Sequence, residues 1–427
     1  MTIYRGPHPF LFGNWMCWIP IVLLLFPSSI ASYPKLSDRD WPWWRGPNLD
    51  GSVVSDKDVI LPWDSQRDVR WMADLPGRGH GSPTVAGEMI FLATCDESQG
   101  SQSVIALDRQ TGQQRWNTVV HASGAMLKNP KSSGASSTVA TDGERLFINF
   151  ATGGKVILTA LSLEGDILWQ HTVCDYQIHQ GYGASPALYE DIVYAVADTK
   201  GGGAIVALDR VTGKLLWQQS RPSDPNYPSP IVLKIAGKAQ LILTGCDTVT
   251  SYEPKTGEIL WEVSGATTEC VTTTVTDGLH VYSSGGYPKN HLAAIRADGS
   301  RQVVWENGER VYVPSMLIHQ GFLYTVLDAG TVACWNSATG EMMWKGRLGG
   351  DMSSSPVLVG NKIYAINERA EGFVIEANPR ELKVLGKCSI GDEMFASPVV
   401  CDGRIYLRVA FHEQGGRRER LVCIGPR

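Results

Sequence analysis

Apolar residues along this chain fall in short alternating bursts, each closed by Gly, Asp or Asn. Met89-Ile90-Phe91-Leu92, Ile192-Val193-Tyr194-Ala195 and Lys362-Ile363-Tyr364-Ala365 show the pattern. No stretch carries a 3.6-residue apolar period. Alternation over a few residues between turn formers predicts β-strands, because successive side chains of a strand face opposite ways. The bursts recur in a fixed order. A Ser-Pro strand opens many units, as at Ser82-Pro83, Ser185-Pro186, Ser229-Pro230, Ser355-Pro356 and Ser397-Pro398. A turn with Gly or Asp leads to the alternating run. A third strand enters an Asp-x-x-Thr-Gly turn, and a fourth strand carries Trp.

The turn and its Trp form the strongest repeat. Ala106-Leu-Asp-Arg-Gln-Thr-Gly-Gln-Gln-Arg-Trp116 recurs at Ala207 to Trp217, and more loosely at Ser251 to Trp261 and Cys334 to Trp344. Trp71, Trp116, Trp169, Trp217, Trp261, Trp305 and Trp344 follow one another at intervals of 39 to 53 residues. Four-stranded units of about 40–50 residues are propeller blades. Leu385 stands where the next Trp is expected. The last unit, Phe395 to Ile424, holds three strands, and the strand around Trp71 supplies its fourth. The expected fold is all-β: an eight-bladed β-propeller over residues 67–427, closed by pairing an N-terminal strand with the C-terminal blade. Such closure removes two free sheet edges.

Within the repeat, Asp108 and Thr111 are turn residues whose side-chain oxygens accept from nearby backbone. Gly112 supplies a positive φ without steric cost. Trp116 is then placed to dock on the next blade. A buried indole contributes on the order of 4–6 kcal/mol, as an upper figure against an extended chain. The copy ending at Trp169 is one residue shorter and that ending at Trp305 one longer. Gly165 and Gly299 are expected to keep the same docking there.

The segment before the repeats is different. Trp15 to Phe26 is apolar, too short for a confident membrane span. With Arg5 upstream and Ser29-Ile30-Ala31 at its end, residues 1–31 are expected to be a secretory signal peptide cleaved near Ala31–Ser32, an uncleaved anchor being the alternative. No later stretch is expected to cross a membrane as a helix. Residues 32–66 form a Trp-rich arm containing Trp41-Pro42-Trp43-Trp44-Arg45-Gly46-Pro47-Asn48 and Leu61-Pro62-Trp63. Pro and Gly exclude a helix through it. It is expected to lie across the propeller with its indoles buried, an aromatic binding platform being the other reading.

Composition narrows the function classes. The net charge is −5, from 38 basic and 43 acidic residues, with no basic run, which disfavours nucleic acid as a partner. Nine Cys are scattered without a Cys-x-x-Cys or an adjacent pair. Buried free thiols are expected, with Cys388 and Cys401 the one conceivable pairing.

The Ala-x-Asp-x-x-Thr-Gly-x-x-x-Trp pattern resembles the tryptophan-docking motif of pyrroloquinoline-quinone (PQQ) repeat propellers. The Trp-rich arm, followed by Leu75-Pro76-Gly77-Arg78-Gly79-His80, resembles the leader of exported PQQ-like repeat proteins. The resemblance implies two functional branches. One is a quinoprotein dehydrogenase holding PQQ and calcium on the propeller face. Its alcohol-oxidising members carry an adjacent Cys-Cys pair that this chain lacks. The other is a non-catalytic docking propeller, like that of the outer-membrane barrel assembly machine.

A site on such a scaffold belongs to the loops at one end of the blades. The residues just before each inner strand would ring the axis: Arg78 and His80, Lys128 and Asn129, His179 and Tyr182, Tyr227, Glu269, Tyr312, Asp351, and Glu393 with Phe395. His80 and His179 with Glu269 are the one loose metal-ligand set. Asp351 and Glu393 are the one carboxylate pair placed for acid–base work. Neither is distinctive enough to name a catalytic residue or a metal site. The expectation is therefore an exported, periplasmic or cell-surface propeller that binds a protein or polysaccharide partner and carries no cofactor. The alternative is an alcohol or sugar dehydrogenase using PQQ and calcium in the funnel.

Overall fold

The computed structural model describes residues 1–4, 6, 36–53, 59 and 62–426. The chain divides into two compact units, 1–33 and 34–427. Most of the expected signal peptide, residues 5 and 7–31, and its cleavage position lie outside the described residues. Among those described, no helix is long and apolar enough to cross a membrane.

Residues 69–424 form eight sheets in a ring. Blades 1 to 7 are four consecutive antiparallel strands each, spanning 84–121, 140–175, 187–221, 231–264, 275–307, 317–347 and 357–389. Blade 8 takes Val399–Cys401, Arg404–Glu413 and Gly416–Ile424, and closes with Val69–Leu75 as its outer strand. That outer strand runs antiparallel to Gly416–Ile424, with Trp71 opposite Cys423. The two ends of the repeat array thus share one sheet, as the three-stranded last unit required. A fifth strand, Ser52–Val53, adds in parallel to the inner edge of blade 7.

The Asp-x-x-Thr-Gly turn explains the blade-to-blade contacts. Asp108 Oδ1 accepts from the Gln110 and Thr111 amides at 3.0 and 2.8 Å and from Thr111 Oγ1 at 2.8 Å. Gly112 follows with φ 74°, and a Cβ there would lie 2.5 Å from the Trp71 ring. Trp71 thus packs flat on the turn of blade 1. Trp116 packs likewise on Gly165, Trp169 on Gly213, Trp217 on Gly257 and Trp305 on Gly340. Trp344 donates its Nε1 to Asn378 O at 2.8 Å in blade 7. Each of these six indoles also tilts against an aromatic ring of its own blade, at centroid distances near those of Trp71 and Tyr406, 6.1 Å.

Two expectations are corrected. Trp261 does not dock on Gly299, where an added Cβ would meet nothing within 4 Å. It is fully buried and donates to Gln240 Oε1 at 2.7 Å in its own blade. The aromatic support found in other blades is replaced here by Ile242, and Gln240 supplies an inward acceptor. The lengthened turn of blade 5 is therefore free of an indole. The second correction concerns Leu385. The strand pairing steps from Val374–Gly386 to Ile375–Val384, so Leu385 is the bulged residue and Gly386 occupies the Trp register. Pro62 of the arm fills the vacated place: a Cβ on Gly386 would lie 2.6 Å from Pro62 Cγ.

The eight described cysteines are all free thiols, Cys388 and Cys401 included. The arm lies across the propeller. Trp41 exchanges backbone bonds with Val85 in blade 1, and Thr141 of blade 2 donates to Pro42 O. Arg45, buried with φ 67°, donates to Met316 O at 2.7 Å and Pro356 O at 3.0 Å in blades 6 and 7. Desolvation brings its guanidinium down to about 10, and the Asp50 charge opposes this only in part.

Candidate functional site

The inner strands begin at a ring of eight hydroxyl residues: Ser82, Thr138, Ser185, Ser229, Thr273, Ser315, Ser355 and Ser397. Seven of the eight backbone N–H groups, all but that of Ser229, donate to the hydroxyl of the next blade. Ser82 bonds Thr138 at 3.0 Å, Thr138 bonds Ser185 at 3.0 Å, and Ser185 bonds Ser229 at 2.8 Å. The series resumes from Thr273 through Ser315, Ser355 and Ser397, and returns to Ser82 at 3.2 Å. At Thr273 the hydroxyl accepts instead from Trp44 Nε1 at 2.8 Å. A hydroxyl that accepts still carries a proton to donate. The ring therefore offers donors to whatever enters the axis.

Above this ring lies a cavity of about 430 Å³, within the size range of small-ligand sites. Seven of the eight ring hydroxyl residues line it, all but Ser82. Its collar is aromatic: Tyr182, Tyr227, Tyr312, Phe395 and His80. Tyr182 donates to Val196 O at 2.8 Å, and burial pushes its phenol well above the usual range. Tyr227 Oη is buried with no protein partner among the described residues. Burial raises the Tyr227 and Tyr312 phenols too, so all three stay neutral donors. The Arg310 guanidinium sits 4.9 Å from the Tyr312 ring centre. His80 stacks on Phe395 at 4.4 Å. Desolvation, then Arg78, Arg408 and Arg417, hold its imidazole well below the usual histidine range.

The arm closes the other end. Its bonds to Val85 and Thr141 fall three residues beyond the ring positions Ser82 and Thr138, so it meets the inner strands from the end opposite the collar. Trp44 reaches up to the ring and lines the cavity. Over the mouth runs the connector between blades 1 and 2. Asn129 Nδ2 donates to Gln180 Oε1 at 2.8 Å, Pro130 O accepts from Arg78 at 2.8 Å, and Lys131 reaches Glu368 of blade 7 at 2.8 Å.

Six of the residues singled out in the sequence meet in this cavity: His80, Asn129, Tyr182, Tyr227, Tyr312 and Phe395. The others stand outside its lining. Arg78 turns into a separate groove with Glu97 and Arg417. Lys128 is exposed, and Lys131 takes the funnel position. His179 pairs with Glu269 at 3.1 Å. Asp351 faces Lys131 at 3.7 Å, while Glu393 is held by Arg417 at 2.8 Å. The two carboxylates thus have separate cationic partners. The hydroxyl ring was visible in the sequence only as the Ser of each Ser-Pro strand. Thr138, Thr273 and Ser315 lack the following Pro and gave no such signal.

A family model described as "Outer membrane protein assembly factor BamB" matches residues 50–180, 176–346 and 288–385. A polyvinylalcohol dehydrogenase of a Pseudomonas species is 27% identical over 220 residues, covering 47% of this chain and 32% of that protein. BamB of Bordetella pertussis is 23% identical over 181 residues, covering 39% of this chain and 42% of its own length. The matched part thus spans less than half of these relatives. Among solved structures, BamB of Moraxella catarrhalis superposes with a TM-score of 0.58 at 14% identity, over 83% of this chain and 96% of that one. Quinohemoprotein alcohol dehydrogenase of Comamonas testosteroni gives a TM-score of 0.64 at 12% identity, over 92% and 81%. At such identities the structural likeness concerns the fold.

Proposed function

The chain belongs to the PQQ-like propeller family described by the outer membrane protein assembly factor BamB, and from that premise we propose that it is an exported, non-enzymatic binding module whose funnel takes a segment of a polysaccharide. One observation carries this reading. A ring of hydroxyl donors lies beneath a collar of neutral phenols and aromatic faces. Polyhydroxylated chains present the complement: oxygen acceptors around the edge of each sugar and apolar C–H faces above and below. Ionic side chains are nearly absent from the described lining, so the site favours a neutral, oxygen-rich ligand. Periplasmic or cell-surface placement accords with the named relatives and with the apolar segment near the N-terminus.

The dehydrogenase relatives raise a second reading, with PQQ and calcium in the funnel. The lining does not fit that group. PQQ carries several carboxylates, and the one cation among the described lining residues, Lys131, is already paired with Glu368. Among the described residues, no carboxylate lines the cavity to hold a calcium ion, which takes oxygen ligands, charged ones foremost.

The test is calorimetric titration of the chain with neutral polysaccharides and their oligomers, alongside Tyr227→Ala and Tyr312→Ala. Saturable binding lost in both variants supports the module. PQQ with calcium producing a bound quinone spectrum and dye reduction with alcohols, without polysaccharide binding, would overturn it.

A further inference from the structure

We propose that Trp44 is the floor on which the ligand stacks, so that the binding site is completed by the arm and not by the blades alone. This rests on the polysaccharide reading above and assigns the ring class that the floor accepts: a neutral pyranose.

Three observations converge on Trp44. First, the arm's indoles are placed differently. Trp41 and Trp63 are 3% and 5% exposed and packed in the core, Trp43 is half-buried outside the cavity lining, and of the four only Trp44 lines the cavity. Second, the hydroxyl ring makes room for it. Seven of the ring's hydroxyls accept a neighbouring backbone N–H, and the eighth, Thr273, accepts the Trp44 Nε1 proton. The indole edge thus takes one place in the ring, and that bond anchors the indole at the base of the cavity. Third, the residue behind it is immobilised. Arg45 is buried, its guanidinium bound to Met316 O, Pro356 O and Asp50 O, with its Cζ 6.0 Å from the Trp44 ring centre.

An indole pinned at its edge offers a rigid apolar face at little further entropic cost. Around that face stand hydroxyl donors from several blades, and above it the phenols of Tyr227 and Tyr312. A pyranose laid on the indole would put its C–H face on Trp44 and its equatorial hydroxyls toward the ring. A flat anion would find the same face but no unpaired cation among the described lining residues. The repeat sequence could not supply such a platform, because the blades place small hydroxyl residues at every inner-strand start. An arm entering from the opposite end can.

The experiment titrates the full chain with maltohexaose and cellohexaose by calorimetry and by tryptophan emission. Wild type is compared with Trp44→Ala, Trp44→Phe and Tyr227→Ala, each checked for the native thermal transition. The expected result is a loss of about tenfold in affinity for Trp44→Ala and a smaller loss for Trp44→Phe, which keeps an aromatic face. The sugar-induced change in emission should vanish in Trp44→Phe while its binding heat persists. Should Trp44→Ala fail to fold, the Trp44→Phe emission result decides alone. Wild-type affinity in Trp44→Ala with loss in Tyr227→Ala would overturn the platform and leave the funnel reading intact. Absence of binding by the wild type to either oligosaccharide overturns both.

Discussion

The Lys131 ammonium lies 2.8 Å from Glu368 Oε2, although 237 residues separate the two in the chain. One belongs to the connector between blades 1 and 2 and the other to blade 7, so the pair spans the mouth of the funnel. Ser353 Oγ donates to the same carboxylate at 2.7 Å, and Asp351 stands 3.7 Å from the ammonium. The Glu368 bond, opposed by partial burial, holds the Lys131 ammonium above its ordinary value. Its contribution to stability is therefore complete below the unfolded lysine value and is lost as pH rises through the folded one.

Because Lys131 is largely exposed, this pair contributes little to global stability, about 0–1 kcal/mol. Its effect falls on the connector. Lys131→Ala is expected to leave the thermal midpoint nearly unchanged and to speed amide exchange at Asn129 and its neighbours. Salt at about 0.5 M should bring the wild type toward the variant, since exposed charges are screened over a few ångströms there. Exchange that stays slow in both cases would show that the Gln180 and Arg78 contacts hold the connector unaided.

Glycines at one repeat position separate two physical costs. Gly112 and Gly299 both have positive φ, 74° and 90°. A Cβ on Gly112 meets the Trp71 ring, whereas one on Gly299 meets nothing within 4 Å. Gly299→Ala should cost about 1 kcal/mol for backbone strain alone. Gly112→Ala should cost about 1–3 kcal/mol more, because the indole must move from the turn. Urea unfolding of the two variants measures the difference, and equal midpoints would refute the docking account.

These pairs also show what was legible in the sequence. The Asp-x-x-Thr-Gly turn and the Trp that follows it are local and repeated, so the ring, its blade count and its closure could be counted from them. Trp261 escaped because its partner, Gln240, is decided by the second strand of blade 4, which carries Ile242 where the other blades carry an aromatic. Gly386 escaped because a β-bulge shifts the register by one residue, and nothing in Leu385 marks the bulge. The collar positions of Tyr182, Tyr227 and Tyr312 followed from repeat register. The reach of Trp44 and Lys131 did not, because each comes from a segment outside the repeat and acts across the axis.

Gln240 tests the exceptional blade. It is fully buried and fully bonded: Oε1 accepts from Trp261 Nε1 and Ser251 Oγ, both at 2.7 Å, and Nε2 donates to Ala297 O at 2.8 Å and Ile235 O at 3.2 Å. Gln240→Leu keeps the volume and strands these partners in a dry interior. The expected loss is on the order of 3 kcal/mol. In the Trp261→Phe background the same change should cost less, since one stranded donor is gone. A double-mutant cycle in urea reads this coupling, and strict additivity would mean that the indole bond is energetically silent.

His80 gives the funnel a pH dependence whose sign is fixed by its surroundings. Its Nε2 is buried without a protein partner among the described residues, its ring stacks on Phe395, and Arg78, Arg408 and Arg417 oppose a further positive charge. The folded state therefore binds this proton less readily than the unfolded chain, whose histidine titrates near 6.5. Stability from this group is complete above that value and falls as pH drops below it, with a limiting slope of about 1.4 kcal/mol per pH unit. His80→Phe keeps an aromatic face against Phe395 and removes the titrating group. Unfolding free energies measured in urea at pH 7, 6 and 5 should decline more steeply in the wild type than in this variant. Parallel declines would mean that the imidazole accepts its proton freely in the folded protein, and that the funnel wall is wetter than its geometry implies.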